Sequence, residues 1–496
     1  MTNSNSRPPG SPGASTEPSR KPLAGSRLLA WLAPITALGV FLLPTLWFGF
    51  PRGHDWLLEL TRIAEYRHAL AEGQLPPFWA PNVYGGQGAP VFVFYSPLFL
   101  AVASAATTLL APFLTNPVPA AATVTIWGFA LAGVLSMVDL FRSLGAGGAG
   151  ARVGALLLVL HPYFLTDALL RNANAEFAAL CLLPQPLAGV VCIATGGRGG
   201  TERLSLGLAA VILAHNLTAL VAAPTVALLG VVLLWDGERR DQVRFVLATA
   251  SGLLLSAWLW LPALGYRHLI RQTELTKGHL DFHGNFTPVF GWSGFSSVGY
   301  LPLLTLFAGF VWMLVARPKG LSGRVAWTLA GASAMFLFLQ TPVSTQVWEA
   351  LPFLPLFQFP WRFQGPLALS AAVLAGLAWS RIARDWKPSR ILLVEWSLLL
   401  LLVLNAWPHL SNVRPLPDEA RQELASRLTP EGIRNHGLKV TVGNEYLPAE
   451  RLDPASLPYG PDREPALRTI GVLLAAGTAL FALLRWLRRA RRLEES

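Results

Sequence analysis

Charge and cysteine are what this chain has least of. Of its 496 residues only 14% are charged and 53% are hydrophobic, whereas soluble globular proteins carry roughly 25% charged residues. With a mean hydropathy of +0.45, an ordinary soluble fold is excluded and an integral membrane protein is expected. The two cysteines, Cys181 and Cys192, lie in one apolar run. They read as small core residues, which excludes a disulfide framework and a cysteine metal site. Acidic residues are also scarce, 28 against 39 Lys and Arg, for a net charge of +11. The basic residues gather between apolar runs and at the tails, as positive-inside topology demands, so no nucleic-acid partner is expected. No repeat of about 20–50 residues is visible, and no soluble stretch is long enough for a separate enzyme domain.

What the chain does have is long apolar runs. Met1 to Arg27 is Pro-, Ser- and Gly-rich and reads as a disordered cytoplasmic tail. Leu28 to Phe50 then gives 23 apolar residues, enough for a span that needs about 20. Eleven more runs follow, at 97–114, 119–141, 152–169, 175–195, 204–235, 245–266, 298–316, 325–343, 365–384, 390–408 and 467–485. The predicted fold is an all-α polytopic membrane protein of about twelve transmembrane helices, with both termini in the cytoplasm. It divides into the tail at 1–27, a membrane domain at 28–408 with its first outer loop at 51–96, a small extracytoplasmic segment at 409–466, and a last helix with a basic tail at 467–496. The topology of 97–235 stays open. Either every run from 97 to 195 crosses once, or one run only dips into the membrane and 204–235 crosses twice, breaking near His215. Only the second arrangement puts Glu176 outside with Asp55. Loops 142–152 and 196–203 carry two arginines each, so charge does not choose.

The first outer loop opens with an amphipathic helix. Trp56, Leu60 and Ile63 share one face, while Asp55, Glu59, Arg62 and Tyr66 share another, which predicts a helix lying at the interface with its polar face toward water or a cleft. Asp55 stands where an N-cap would, and equally where a general base could meet an acceptor hydroxyl. Trp79, Tyr84 and Tyr95 suit either sugar stacking or an interfacial belt. Farther on, Asp167, Arg171, Asn172, Asn174 and Glu176 cluster at a junction between runs. On a continuous helix Asp167 could pair with Arg171, and Asn172 with Glu176. Ionisable groups in a span are costly, so Glu176 could assist Asp55 and Arg171 could meet a phosphate. His215 interrupts an apolar run. Arg362, beside Trp361, runs against the positive-inside trend and suits a lipid phosphate or a snorkelling pair. His279, Asp281 and His283 superficially resemble metal-ligand spacing, but no third His or Glu follows at a useful interval, so a zinc site is not expected.

Asp55, Arg62, GQLPPFW at 73–79, YGGQGAP at 84–90 and FYSPL at 94–98 together resemble the first outer loop of GT-C-type membrane glycosyltransferases. Among these the chain resembles a bacterial integral-membrane family labelled 6-pyruvoyl-tetrahydropterin-synthase-related, itself similar to YfhO-like proteins. RNANAEFAAL at 171–180, AHNLTAL at 214–220, QFPWRFQGPLAL at 358–369 and NEYLP at 444–448 fit the same pattern. The pterin chemistry in that label would need a soluble His-rich metal domain, which this sequence lacks. The resemblance implies a GT-C-like bundle in the bacterial inner membrane, moving a sugar from a polyprenyl-phosphate donor to an unknown acceptor on the outer face. Asp55 and Glu176 would be its catalytic candidates. His54, Glu59, Arg62, Trp79, Tyr84, Tyr95, Arg171, His215, Trp361 and Arg362 would bind substrate. His54 stands where a second acid would complete a metal pair, so no metal ligand is assigned, although a divalent cation is compatible. A transporter of lipids or lipid-linked sugars, and a non-catalytic envelope-assembly protein, are the alternatives.

Overall fold

In a membrane, backbone amides find no partner but the chain itself, so the apolar runs fold as helices. The computed structural model describes residues 31–271, 276–287, 300–435 and 464–494; the tail at 1–27, the NEYLP motif and residues 436–463 of the 409–466 segment lie outside the described residues. The first four helices are α1 (Leu32–Phe48), α2 (Trp56–Ala71), α3 (Leu98–Leu110) and α4 (Pro117–Ser143). There follow α5 (Gly148–Val159) and α6 (Pro162–Arg171), bent by 48°, and α7 (Asn174–Ala194). Next come α8 (Gly200–Ala214) and α9 (Asn216–Leu234), then α10 (Arg239–Leu255) and α11 (Ala257–Leu269), bent by 68°. The second half adds α12 (Leu303–Ala316), α13 (Gly320–Leu339), α14 (Pro360–Asp385) and α15 (Pro388–Leu410). Two short helices, α16 (Asp418–Arg427) and α17 (Pro430–Asn435), precede α18 (Ala466–Glu494). Among the described residues seven helices are long and apolar enough to cross a membrane, nine if each bent pair is one span, and α1, α3 and α12 are shorter apolar helices. The chain is a multi-pass α-helical membrane protein.

Chain direction resolves the ambiguous half. Trp31, before α1, and Gly145 to Gly148, after α4, line one cavity, so α4 ends where α1 begins. At 27 residues α4 is about 40 Å long, so it starts at the opposite end, beside the loop that holds Asp55. The run at 97–114 therefore enters and leaves at the Asp55 end. Its helix α3 has 13 residues, about 20 Å and short of a roughly 30 Å hydrocarbon core. Ser104 Oγ of α3 donates to the Ile63 carbonyl of α2 at 3.3 Å.

The 204–235 run breaks at His215, whose backbone is extended at φ −159° and ψ 114°. Near the start of α8, Arg203 pairs with Asp139 near the end of α4, at 2.7 Å. Near the end of α9, the Leu233 carbonyl accepts from Arg324 of α13. Both ends thus lie at the Trp31 end, and the chain turns back at His215. The arrangement in which every run from 97 to 195 crosses once is overturned, and Glu176 shares an end with Asp55.

Small residues allow close packing. A Cβ on Gly150 of α5 would lie 2.5 Å from the Gly376 carbonyl oxygen of α14, a contact of the small-residue type that membrane helices favour. Arg152 of α5 and Glu395 of α15 form a buried pair at 2.7 Å, with Trp379 Nε1 donating to Glu395 at 3.2 Å. Meanwhile α15 and α18 expose Leu400, Leu404, Leu473 and Phe481 outward, as lipid-facing helices do.

Candidate functional site

The site is built on a ladder between two segments far apart in sequence. Asn172 adopts the left-handed conformation, φ 58°, which Asn tolerates better than most residues. Its Oδ1 accepts from the Gly53 amide at 2.7 Å. His54 and Asp55 donate their amides to the carbonyls of Leu170 and Arg171, at 3.0 and 2.9 Å. Asp55 thereby becomes the N-cap residue of α2, its carbonyl accepting from Glu59 at 2.9 Å, yet its side chain makes no capping bond. The carboxylate is exposed.

Beneath it, α2 departs from expectation. Leu60 and Ile63 are buried, but so are Glu59, Arg62 and Tyr66. Below the exposed Asp55 the polar face does not meet water, because the Tyr95 loop and the start of α7 cover it. Glu59 accepts from Arg62 Nη1 and from the Tyr95 hydroxyl, both at 2.9 Å, and from Asn174 Nδ2 at 3.4 Å. The Arg62 guanidinium lies 4.0 Å from the Tyr95 ring centroid. Burial pushes the Glu59 carboxyl above its usual range, against the pull of Arg62 and Tyr95.

Glu176 is the hub of a second cluster. A π-helical turn over Thr166–Arg171 brings Arg171 onto Asp167, as expected. Arg171 Nη1 also lies 3.5 Å from Glu176 Oε2, and Arg362 Nε lies 3.4 Å from the same oxygen. The Tyr163 hydroxyl donates to the other Glu176 oxygen. The expected Asn172–Glu176 pair does not form, because the helix ends at Asn172 and that side chain serves Gly53 and the Ala168 carbonyl instead. Both arginines are set against aromatic faces, Arg171 at 4.3 Å from the Trp361 ring and Arg362 at 5.1 Å from Phe359. Arg362 Nη1 is held by the Phe357 carbonyl at 2.8 Å and by Gln358 Oε1 at 3.2 Å.

His215 caps α9, its Nδ1 accepting from the Thr218 amide at 3.3 Å and lying 2.8 Å from Thr218 Oγ1. With Glu176, Arg362 and Phe357 it lines a small cavity. Ser96, just after Tyr95, accepts from the Asn216 amide at 3.0 Å, so the first loop is fastened to this break as well.

Other candidates are placed differently. Trp79 is buried, 7% exposed, and its indole nitrogen packs against Gly88; it braces the loop and offers no open stacking face. Tyr84, at φ 53°, lies in the turn between them. Tyr163 was not singled out by sequence reasoning; its one signal is a tyrosine in an apolar run directly after His161 and Pro162. A further missed network joins Glu65 to the Asn82 amide and side chain at 2.8 and 2.9 Å, and Asn82 Oδ1 to Arg434 Nε at 2.9 Å, clasping α17 to the first loop.

His283 Nδ1 meets Asp281 at 2.7 Å and its Nε2 meets Glu349 at 3.2 Å, while no group of three or more His, Cys, Asp or Glu among the described residues is placed to hold a metal. The two carboxylates push the His283 pKa up. They stabilise the imidazolium, so this contribution is present below the ordinary histidine pKa and is lost as pH rises through the raised one. An NMR titration should show His283 titrating above 6.5, and Glu349→Gln should bring it back toward the ordinary value.

No family model matches the chain, and no curated protein matches it. Among solved structures it is similar to the Archaeoglobus fulgidus oligosaccharyltransferase in complex with Zn and sulfate, at 14% identity and a TM-score of 0.50, over 87% of this chain and 59% of that one. It is also similar to ArnT from Cupriavidus metallidurans bound to undecaprenyl phosphate, at 15% identity and a TM-score of 0.40, over 82% of this chain and 70% of that one. The chain thus spans under two thirds of the oligosaccharyltransferase. The likeness is one of fold, a multi-helix membrane bundle like that of this oligosaccharyltransferase.

Proposed function

We propose that this protein is a glycosyltransferase of the bacterial inner membrane, moving a sugar from a polyprenyl-phosphate donor to an acceptor on the outer face. The observation that carries the reading is the meeting, at one end of the bundle, of an exposed carboxylate, Asp55, with the arginines Arg171 and Arg362. These three come from separate parts of the chain, and the Gly53–Asn172 ladder holds the first two together.

In this reading Asp55 takes the proton of an acceptor hydroxyl. The acceptor oxygen attacks the anomeric carbon, the bond from that carbon to the phosphate oxygen breaks, and the polyprenyl phosphate leaves with its growing charge met by the arginines. Glu176 positions both guanidinium groups, and Tyr163 positions Glu176. The ring faces of Trp361 and Phe359 keep the guanidinium planes fixed, which suits planar recognition of phosphate oxygens. The fold likeness to the oligosaccharyltransferase and the motif pattern of the first outer loop support the same chemistry.

The test is transfer from a panel of polyprenyl-phosphate sugars by purified full-length protein. Asp55→Asn should leave thermal unfolding unchanged and lower transfer by about 10²–10⁴-fold, the usual worth of a general base. Full activity in the variant removes Asp55 from the mechanism. Donor binding by wild type without any transfer favours a transporter instead.

A further inference from the structure

The opposite end of the molecule holds a second site. Between α1, α5, α12, α14 and α15 lies a cavity of about 1,090 Å³. Arg362 and Arg384, near the two ends of α14, are separated by about 30 Å of helix, so this cavity is distinct from the Asp55 site. Arg152, Arg317, Lys319, Arg381 and Arg384 line it, and no carboxylate does so among the described residues. The nearest buried acid, Glu395, is bonded to Arg152 through Nε and Nη2.

One further observation points to an anion. The α5 N-terminus opens here with no side-chain cap, and Gly148 and Ala149 form part of the wall, so the positive end of the helix dipole faces the space. Ser380 and Trp312 also line the cavity, with Ser380 Oγ packed toward Gly150 of α5. The remaining wall, including Leu377 and Ile391, is apolar. Cations and uncapped amides beside an apolar wall match a molecule that is both phosphorylated and lipidic.

We propose that this cavity binds the phosphate headgroup of an anionic membrane lipid. The positive rim selects the phosphate, and the apolar wall leads its chains toward the bilayer. With Arg152 neutralised by Glu395, the four other cations around one volume repel each other when it is empty, and a phosphate relieves that repulsion.

The experiment uses the full chain in phosphatidylcholine nanodiscs with and without phosphatidylglycerol, reading retained lipid by native mass spectrometry. Wild type should retain phosphatidylglycerol in preference to phosphatidylcholine. The double variant Arg381→Ala and Arg384→Ala should lose about thirtyfold in that retention, as expected for two arginines removed from an anionic lipid. Both side chains are exposed, so folding should persist; Lys319→Ala gives a milder second reading of the same loss. Arg240→Ala, on the same end but outside the cavity, should retain lipid as wild type does. No preference for phosphatidylglycerol, or a preference unchanged in the double variant, overturns the site. Inorganic phosphate that raises the unfolding temperature through the same arginines, with no lipid retained, overturns the lipid as its occupant.

Discussion

Arg171→Ala should destabilise the folded protein by about 3–5 kcal/mol, the cost of breaking a buried ion pair by removing one partner. Arg171 faces two carboxylates, Asp167 and Glu176, and both are buried. Arg362 still adjoins Glu176 when Arg171 is gone, but Asp167 is left without its hydrogen-bonded cation. Thermal unfolding in detergent is the measurement. The combination Asp167→Asn with Arg171→Gln should recover much of the loss, since it removes the stranded charge. Arg171→Lys should fall between, because an ammonium keeps the charge and gives up the flat contact on Trp361. Wild-type stability in Arg171→Ala would mean that Asp167 is not held as a charged group.

Gly53→Ala should act on activity more than on stability. The added Cβ would lie 2.7 Å from the Leu170 carbonyl oxygen and closer still to Asn172 Oδ1. Overpacking of this kind costs about 1–3 kcal/mol, and the bond from the Gly53 amide to Asn172 is lost with it. Asp55, two residues on, then shifts away from Arg171. Transfer should fall by about 10²-fold, the scale of loss that a 1 Å misplacement produces. Gly39→Ala in α1 is the control, with nothing within 4 Å of its new Cβ. If Gly53→Ala matches that control in both unfolding temperature and transfer, the ladder does not position the site.

Much of the architecture was legible because hydrophobic length is a strong signal. The apolar runs of the sequence all reappear as helices among the described residues, and the doubtful run at 204–235 divides where His215 interrupts it. The choice between the two crossing schemes was not legible. It depends on which helix ends meet, shown here by Arg203 on Asp139 and Arg324 on Leu233, and the flanking loops carry equal charge. The Asp167–Arg171 pair was readable from a spacing of four. The Gly53–Asn172 ladder was not, because it follows from one left-handed residue and a contact across 119 positions. For α2 the periodicity separated a polar from an apolar face, but nothing local says that protein, not water, covers the polar one. Nor does spacing link Glu176 to Arg362, which the bundle alone brings together.

The Asp167–Arg171 pair has a further consequence for biogenesis. About 190 residues separate Arg171 from Arg362, roughly 10–40 s of synthesis at 5–20 residues per second. Throughout that interval Glu176 lacks its later partner, and an unpaired aspartate or arginine entering the membrane opposes insertion. Because Asp167 and Arg171 neutralise each other within one turn, the ribosome delivers α6 to the membrane as a locally neutral segment. Arg171 is then already in place to meet Glu176 when α7 emerges, and Arg362 joins the cluster later.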